Sequence, residues 1–85
     1  MRRWVQSASY QAAIDALVVA RRASGLTQRA VAQKLGKPPS FVAKIEVGER
    51  RLDFVEFIAF ARAIGVDEAD LIRTVSAGIS DQVDI

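Results

Sequence analysis

The sequence predicts a compact all-α domain of five helices. Apolar residues recur at three- and four-residue intervals, and no stretch alternates with period two for long enough to predict a strand. Glycines that can end helices follow the apolar stretches, at Gly25, Gly36, Gly48, Gly65 and Gly78. A chain of 85 residues has room for one hydrophobic core. We therefore expect an N-terminal arm or lid at 1–8, the domain at 9–78 and a C-terminal tail at 79–85.

The first two predicted helices are separated by Gly25. The first runs from about Ser9 to Ser24 and has an inward stripe of Ile14, Leu17 and Val18. The second runs from Gln28 to Leu35 after Thr27, whose hydroxyl can cap the free amides of its first turn. Its inward residues are Val31 and Leu35.

The third predicted helix begins inside a proline pair. Pro39 suits the first helical position because the amide it lacks has no helical partner there, and Pro38 then precedes the helix as its cap. This helix extends to about Val47 and buries Val42 and Ile45.

Two further helices follow, each after an acidic cap. Asp53 and Glu56 form a capping-box pattern before a helix with the predicted inward stripe Phe54, Phe57, Ile58, Ala61 and Ile64. Asp67 caps the last helix, which runs to about Ala77 and is expected to bury Leu71, Ile72 and Val75.

Composition excludes several classes of function. The chain has no cysteine and no histidine, which removes disulfides, thiolate nucleophiles, imidazole bases and nearly every zinc site. No pair of carboxylates has the pattern of an apolar catalytic pocket, so we expect neither an enzyme nor a bound metal or cofactor. The longest apolar run, at 16–20, is far shorter than the roughly 20 residues that a membrane span needs. A cytoplasmic protein without membrane contact is expected.

Charge is distributed unevenly along the chain. Residues 1–51 hold ten Lys and Arg against three Asp and Glu, whereas residues 52–85 hold two against seven. A basic half on an acidic half favours a polyanionic partner that meets one face only. The alternative is that the charged residues only cover solvent-exposed helix faces and are unevenly distributed by chance.

Residues 25–48 carry the most specific pattern. Leu26-Thr27-Gln28 opens the second helix, Ala32 precedes Leu35-Gly36, and Ile45-Glu46 lies two residues before Gly48. This arrangement resembles the helix-turn-helix of the Cro/cI superfamily, the XRE type, and the likeness covers about residues 10–76. The resemblance implies a lambda-repressor-like fold that binds double-stranded DNA, with the helix at 39–47 in the major groove.

The third helix would carry base recognition. With Val42 and Ile45 inward, the residues left to contact base edges are Pro39, Ser40, Phe41, Ala43 and Lys44. Partial core packing is the alternative for Phe41. The family commonly has glutamine where this chain has Pro39, so we expect weaker adenine readout and more dependence on Lys44 and on DNA shape.

Other residues would hold the DNA backbone or the fold. We expect phosphate contacts from Thr27, Gln28, Arg29, Arg50 and Arg51. The resemblance further implies a buried or half-buried ion pair between Arg21 and Glu46. Arg2 and Arg3 would form an arm along the duplex, or the adjacent Trp4 would form part of an N-terminal lid.

Related proteins pair on a pseudo-palindromic site, which implies a homodimer. The expected interface comprises Leu71, Val75, Ile79, Val83 and Ile85. For the tail taken by itself, fraying is the default expectation and a dimer contact the alternative. We therefore expect a sequence-specific transcriptional regulator, and we favour a repressor over an activator. Two alternatives remain: an antitoxin that binds a toxin as well as DNA, and a protein-interaction adaptor that keeps the fold without binding DNA.

Overall fold

The computed structural model describes residues 7–85 and confirms the all-α prediction. The helices are α1 (Ala8–Ala23), α2 (Gln28–Lys34), α3 (Ser40–Glu46), α4 (Phe54–Ala63) and α5 (Glu68–Ala77). Their ends lie within one or two residues of the predicted ones, a difference that helix ends commonly show. No helix within residues 7–85 has the length and apolar character to cross a bilayer.

Side-chain caps begin four of the five helices. Ser7 accepts from the Tyr10 amide, Thr27 from the Ala30 amide, and Asp67 from two amides of α5. The predicted capping box of α4 is present with both of its hydrogen bonds. Helix boundaries at these four places are therefore encoded locally.

The start of α3 is different because it has no side-chain cap. Pro39, not Pro38, occupies the position before the helix, and its backbone is already helical at φ −55° and ψ −28°. The Phe41 amide then donates to the Pro38 carbonyl at 2.9 Å. The fixed φ of proline thus replaces a cap in setting where the helix begins.

The core draws on every helix. Its buried members are Ile14, Leu17, Val31, Ala32, Val42, Ile45, Phe60, Ala61, Ile64, Leu71 and Val75. Helices α1 to α4 are each followed by a glycine with positive φ, at Gly25, Gly36, Gly48 and Gly65. Gly78 has φ −88° instead, so the end of α5 does not require a glycine.

The predicted inward stripe of α4 was wrong at its first residue. Phe54 is 80% exposed, whereas Phe60, which was not predicted, is 1% exposed. The sequence of α4 is apolar on more than one side, and the set Phe57, Phe60, Ala61 and Ile64 has helical spacing as good as the predicted one. Ile72 of α5 is also exposed, by 50%, and not buried as predicted.

The C-terminal tail is joined to the rest of the domain at Ile79 and Asp84, while residues 80–85 are all exposed. Ile79 packs against the core. Asp84 accepts from the Ala8 amide and donates its own amide to the Ser9 hydroxyl, both at 2.8 Å. Val83 and Ile85 nevertheless remain 64% and 97% exposed.

Replacing Phe60 with alanine is expected to lower the free energy of unfolding by about 3 to 5 kcal/mol, because a buried aromatic leaves a cavity. Phe54→Ala on the same helix is the matched control and should change it by no more than about 0.5 kcal/mol. Urea denaturation followed by circular dichroism measures both. Equal losses in the two variants would contradict the packing described for α4.

Candidate nucleic-acid interface

Helices α2 and α3 form a helix-turn-helix unit and pack through small and apolar side chains. Val31 and Ala32 of α2, and Val42 of α3, are fully buried. The Lys37 amide donates to the Ala32 carbonyl at 2.9 Å and closes the turn after Gly36. The small side chain of Ala32 permits the close crossing of the two helices, which leaves the opposite side of α3 facing outward.

The outward side of α3 presents three exposed residues that the sequence predicted there. Pro39, Ser40 and Lys44 are exposed, and Ala43 is half-buried. Lys44 supplies an ammonium donor, Ser40 a hydroxyl that donates or accepts, and Pro39 only an apolar ring. This surface can therefore combine one strong donor with apolar contacts.

Phe41 is partly packed in the core, which was the alternative to a base contact that the sequence left open. Its half-buried ring packs against the core, with the Lys37 ammonium 5.5 Å and the Arg50 guanidinium 4.6 Å from the ring centroid. The ring is therefore engaged in cation–π contacts within the protein.

The predicted phosphate contacts fall in two places beside α3. Thr27, Gln28 and Arg29 lie at the start of α2, where Thr27 and Arg29 are exposed and Gln28 is half-buried. Arg50 and Arg51 lie in the loop after α3, with the Arg51 guanidinium 5.0 Å from the Tyr10 ring centroid. The capping hydroxyl of Thr27 accepts one amide and keeps its own hydrogen to donate.

Arg21 and Glu46 lie against each other at the junction of three helices. The Arg21 Nε atom is 2.6 Å from Glu46 Oε2, and its terminal nitrogens donate to Glu46 Oε1 at 3.0 Å and to the Leu26 carbonyl at 2.9 Å. The two side chains are only 8% and 6% exposed. No buried side-chain nitrogen or oxygen within residues 7–85 lacks a partner, so this charge pair is fully satisfied.

Gln28 joins this ion pair, which the sequence did not indicate. Its Nε2 atom donates to Glu46 Oε1 at 2.8 Å. An amide nitrogen carries two hydrogens, so Gln28 can still donate the second one outward. The orientation of Gln28 is thus set by a residue of α3.

A second arginine–glutamate pair joins the loop after α3 to the first turn of α4. Both terminal nitrogens of Arg50 donate to the carboxylate of Glu56, at 2.9 and 2.7 Å. The hydrogen bond from Arg50, aided by the Asp53 amide, lowers the pKa of Glu56 below its usual range. The pair spans six residues across a loop, a separation that no helical spacing predicts.

The structure corrects part of the expected dimer interface. Leu71 and Val75 are 2% and 6% exposed and belong to the core of a single chain, so they cannot also face a partner. Ile79 is partly buried, while Val83, Ile85 and Ile72 are exposed. The expectations for Arg2, Arg3 and Trp4 lie outside the described residues.

The comparisons with known proteins agree with this geometry. A helix-turn-helix family model matches residues 19–71. The chain is also similar to a solved structure, an XRE-family like protein from Pseudomonas syringae pv. tomato str. DC3000. The two are 50% identical and superimpose with a TM-score of 0.77 over 82% of this chain and 85% of that one. No curated protein matches the chain.

Arg21→Met is expected to lower the free energy of unfolding by about 3 to 5 kcal/mol, because it leaves the Glu46 carboxylate buried without its cation. The double variant Arg21→Met/Glu46→Leu should recover most of this loss. Arg22→Ala, at the exposed neighbouring position, serves as the control and should be nearly neutral. Thermal melts report the result. An Arg21→Met variant that melts like the parent but binds DNA weakly would show that Arg21 contacts phosphate instead.

Proposed function

This chain belongs to the XRE-type helix-turn-helix family of DNA-binding regulators, and we propose that it binds a specific site on double-stranded DNA to repress transcription. In this proposal α3 enters the major groove with its exposed side toward the bases. The observation that carries it is the exposure of Ser40 and Lys44 on α3, and of Pro39 just before it, while Val42 and Ile45 on the other side of the helix are buried. Repression requires only that the bound protein occupy the site.

Lys44 is the main candidate for base recognition. Its ammonium can donate to the O6 and N7 atoms of guanine, a contact that contributes about 1 to 3 kcal/mol of discrimination. Ser40 can reach a base edge or a phosphate, and the rings and methyls of Pro39 and Ala43 can contact a thymine methyl. Because this surface has few hydrogen-bonding groups for base edges, we expect DNA shape to contribute to its sequence preference as well.

Phosphate contacts from two groups of residues near α3 would fix its position in the groove. Thr27, Gln28 and Arg29 lie at the start of α2, and Arg51 lies in the loop that follows α3. Arginine contacts to phosphate supply affinity without sequence information and make that affinity depend on salt. The placement of these residues in two groups supports binding across the groove.

We further propose that two copies bind one pseudo-palindromic site. One recognition helix of seven residues offers few base contacts, and a second copy about 34 Å away would double them. The exposed apolar residues Ile72, Val83 and Ile85, with part of Ile79, provide a surface for pairing at α5 and the tail. Each copy would bring the same surface, as a two-fold interface requires.

A selection of bound duplexes from random DNA tests the proposed function. The parent should enrich one motif, and Lys44→Ala should lose preference at one or two positions of it, by about 1 to 3 kcal/mol at each half-site. Arg73→Ala on α5 is the control; Arg73 pairs with Asp70 at an exposed position remote in sequence from α3, so the motif should stay unchanged. A parent that enriches no motif at low or high salt would overturn the proposal.

Sedimentation on the selected duplex tests the pairing. Two copies per duplex are expected, and Val83→Asp/Ile85→Asp should reduce the cooperativity of binding because it places charges in an apolar contact. A chain that is monomeric in solution and binds as one copy would overturn the dimer. The fold should be unaffected, since both positions are exposed.

A further inference from the structure

Arg50 holds α3 at two points. Its backbone amide donates to the Lys44 carbonyl in the last turn of α3 at 3.1 Å, beside the Glu49 amide at 2.8 Å. Its guanidinium lies 4.6 Å from the centroid of the Phe41 ring in the first turn. A single residue outside α3 therefore contacts both ends of that helix.

The guanidinium of Arg50 is already engaged within the protein. One terminal nitrogen donates to Glu56 and to the Arg51 carbonyl, at 2.9 and 2.8 Å, and the other donates to Glu56 at 2.7 Å. The guanidinium also lies over the Phe41 ring. Three of its five N–H groups are thus used within the protein, and its charge is already shared with a bidentate carboxylate, which is among the strongest partners of arginine.

Glu56 is itself fixed at the start of α4. Its carboxylate accepts from the Asp53 amide at 3.0 Å, while its own amide donates to Asp53 Oδ1 at 2.7 Å. The side-chain exposures of Arg50 and Glu56 are 39% and 22%, so the pair is partly shielded from solvent. The contacts thus run from the capped end of α4, through Glu56 and Arg50, to Phe41 on α3.

From this geometry we propose that Arg50 and Glu56 act as positioning residues that fix the rotation of α3 about its axis. Phe41 directly follows Ser40 and lies three residues before Lys44 on the same helix, so a rotation of α3 that displaced the Phe41 ring would also move both groove-facing side chains. Arg50 then contributes to sequence discrimination without contacting phosphate, which revises the sequence-based expectation. This inference rests on the proposed DNA binding.

The decisive variant is Glu56→Gln, because glutamine can preserve the capping box of α4 while weakening the contact with Arg50. Affinity for the selected duplex and for a scrambled duplex is measured over a range of KCl concentrations. Glu56→Gln should lower the ratio of the two affinities about tenfold, within what one base contact contributes. Affinity for the scrambled duplex should not fall.

Two further variants separate positioning from phosphate binding. Arg50→Gln should reduce the affinity ratio similarly and leave the salt slope on scrambled DNA unchanged, whereas Arg51→Gln should flatten that slope by about one unit on both duplexes. Glu68→Gln is the matched control, since Arg62 and Glu68 form a similar pair six residues apart, at 3.2 and 2.9 Å. It should change neither quantity. Melting curves establish that each variant is folded at the binding temperature.

The outcomes distinguish the inference from the function on which it rests. A parent that binds both duplexes equally would overturn both. A parent that discriminates, with a Glu56→Gln variant that keeps the ratio or binds both duplexes more tightly, would overturn the positioning role alone. Tighter binding to both is what a phosphate-binding Arg50 released from a competing carboxylate would give.

Discussion

The buried ion pair between Arg21 and Glu46 is the constraint on which the candidate interface depends. It joins the end of α1 to the end of α3, and through Gln28 it also includes the first residue of α2. Removing two charges from water is costly, so such a pair is stable only when every donor and acceptor is satisfied. That requirement leaves little freedom for the relative placement of the three helices, and the exposed side of α3 follows from it.

The local rules of helix formation explain most of what the sequence predicted correctly. The caps at Thr27, Asp53 and Asp67 act on amides within their own first turn, and each helix begins where they indicate. These local rules do not determine which side of α4 is buried. Its residues are apolar on more than one side, and only the packing of the other helices buries Phe60 and exposes Phe54.

The sequence predicted which residues of α3 are exposed more reliably than it predicted the contacts of the residues around them. Exposure of Lys44 and Ser40 follows from helical spacing once Val42 and Ile45 are inward. The contacts of Arg50 and Gln28 connect residues six and eighteen positions apart, across loops whose path no periodicity encodes. The sequence predicted Leu71 and Val75 both as buried residues of α5 and as part of a dimer interface, and the packing of α5 against the other helices places them in the core.

Counting charges along the chain overstates how much positive charge is available to a polyanion. Arg21 and Arg50 belong to the basic half, yet both direct their guanidinium groups at carboxylates. Their contribution is geometric: one fixes α3 against α1, and the other connects α3 to the start of α4. Lys44 and Arg29 remain exposed beside them. In the proposed function the paired arginines hold α3 in place, and the exposed Lys44 contacts the bases from the position that they fix.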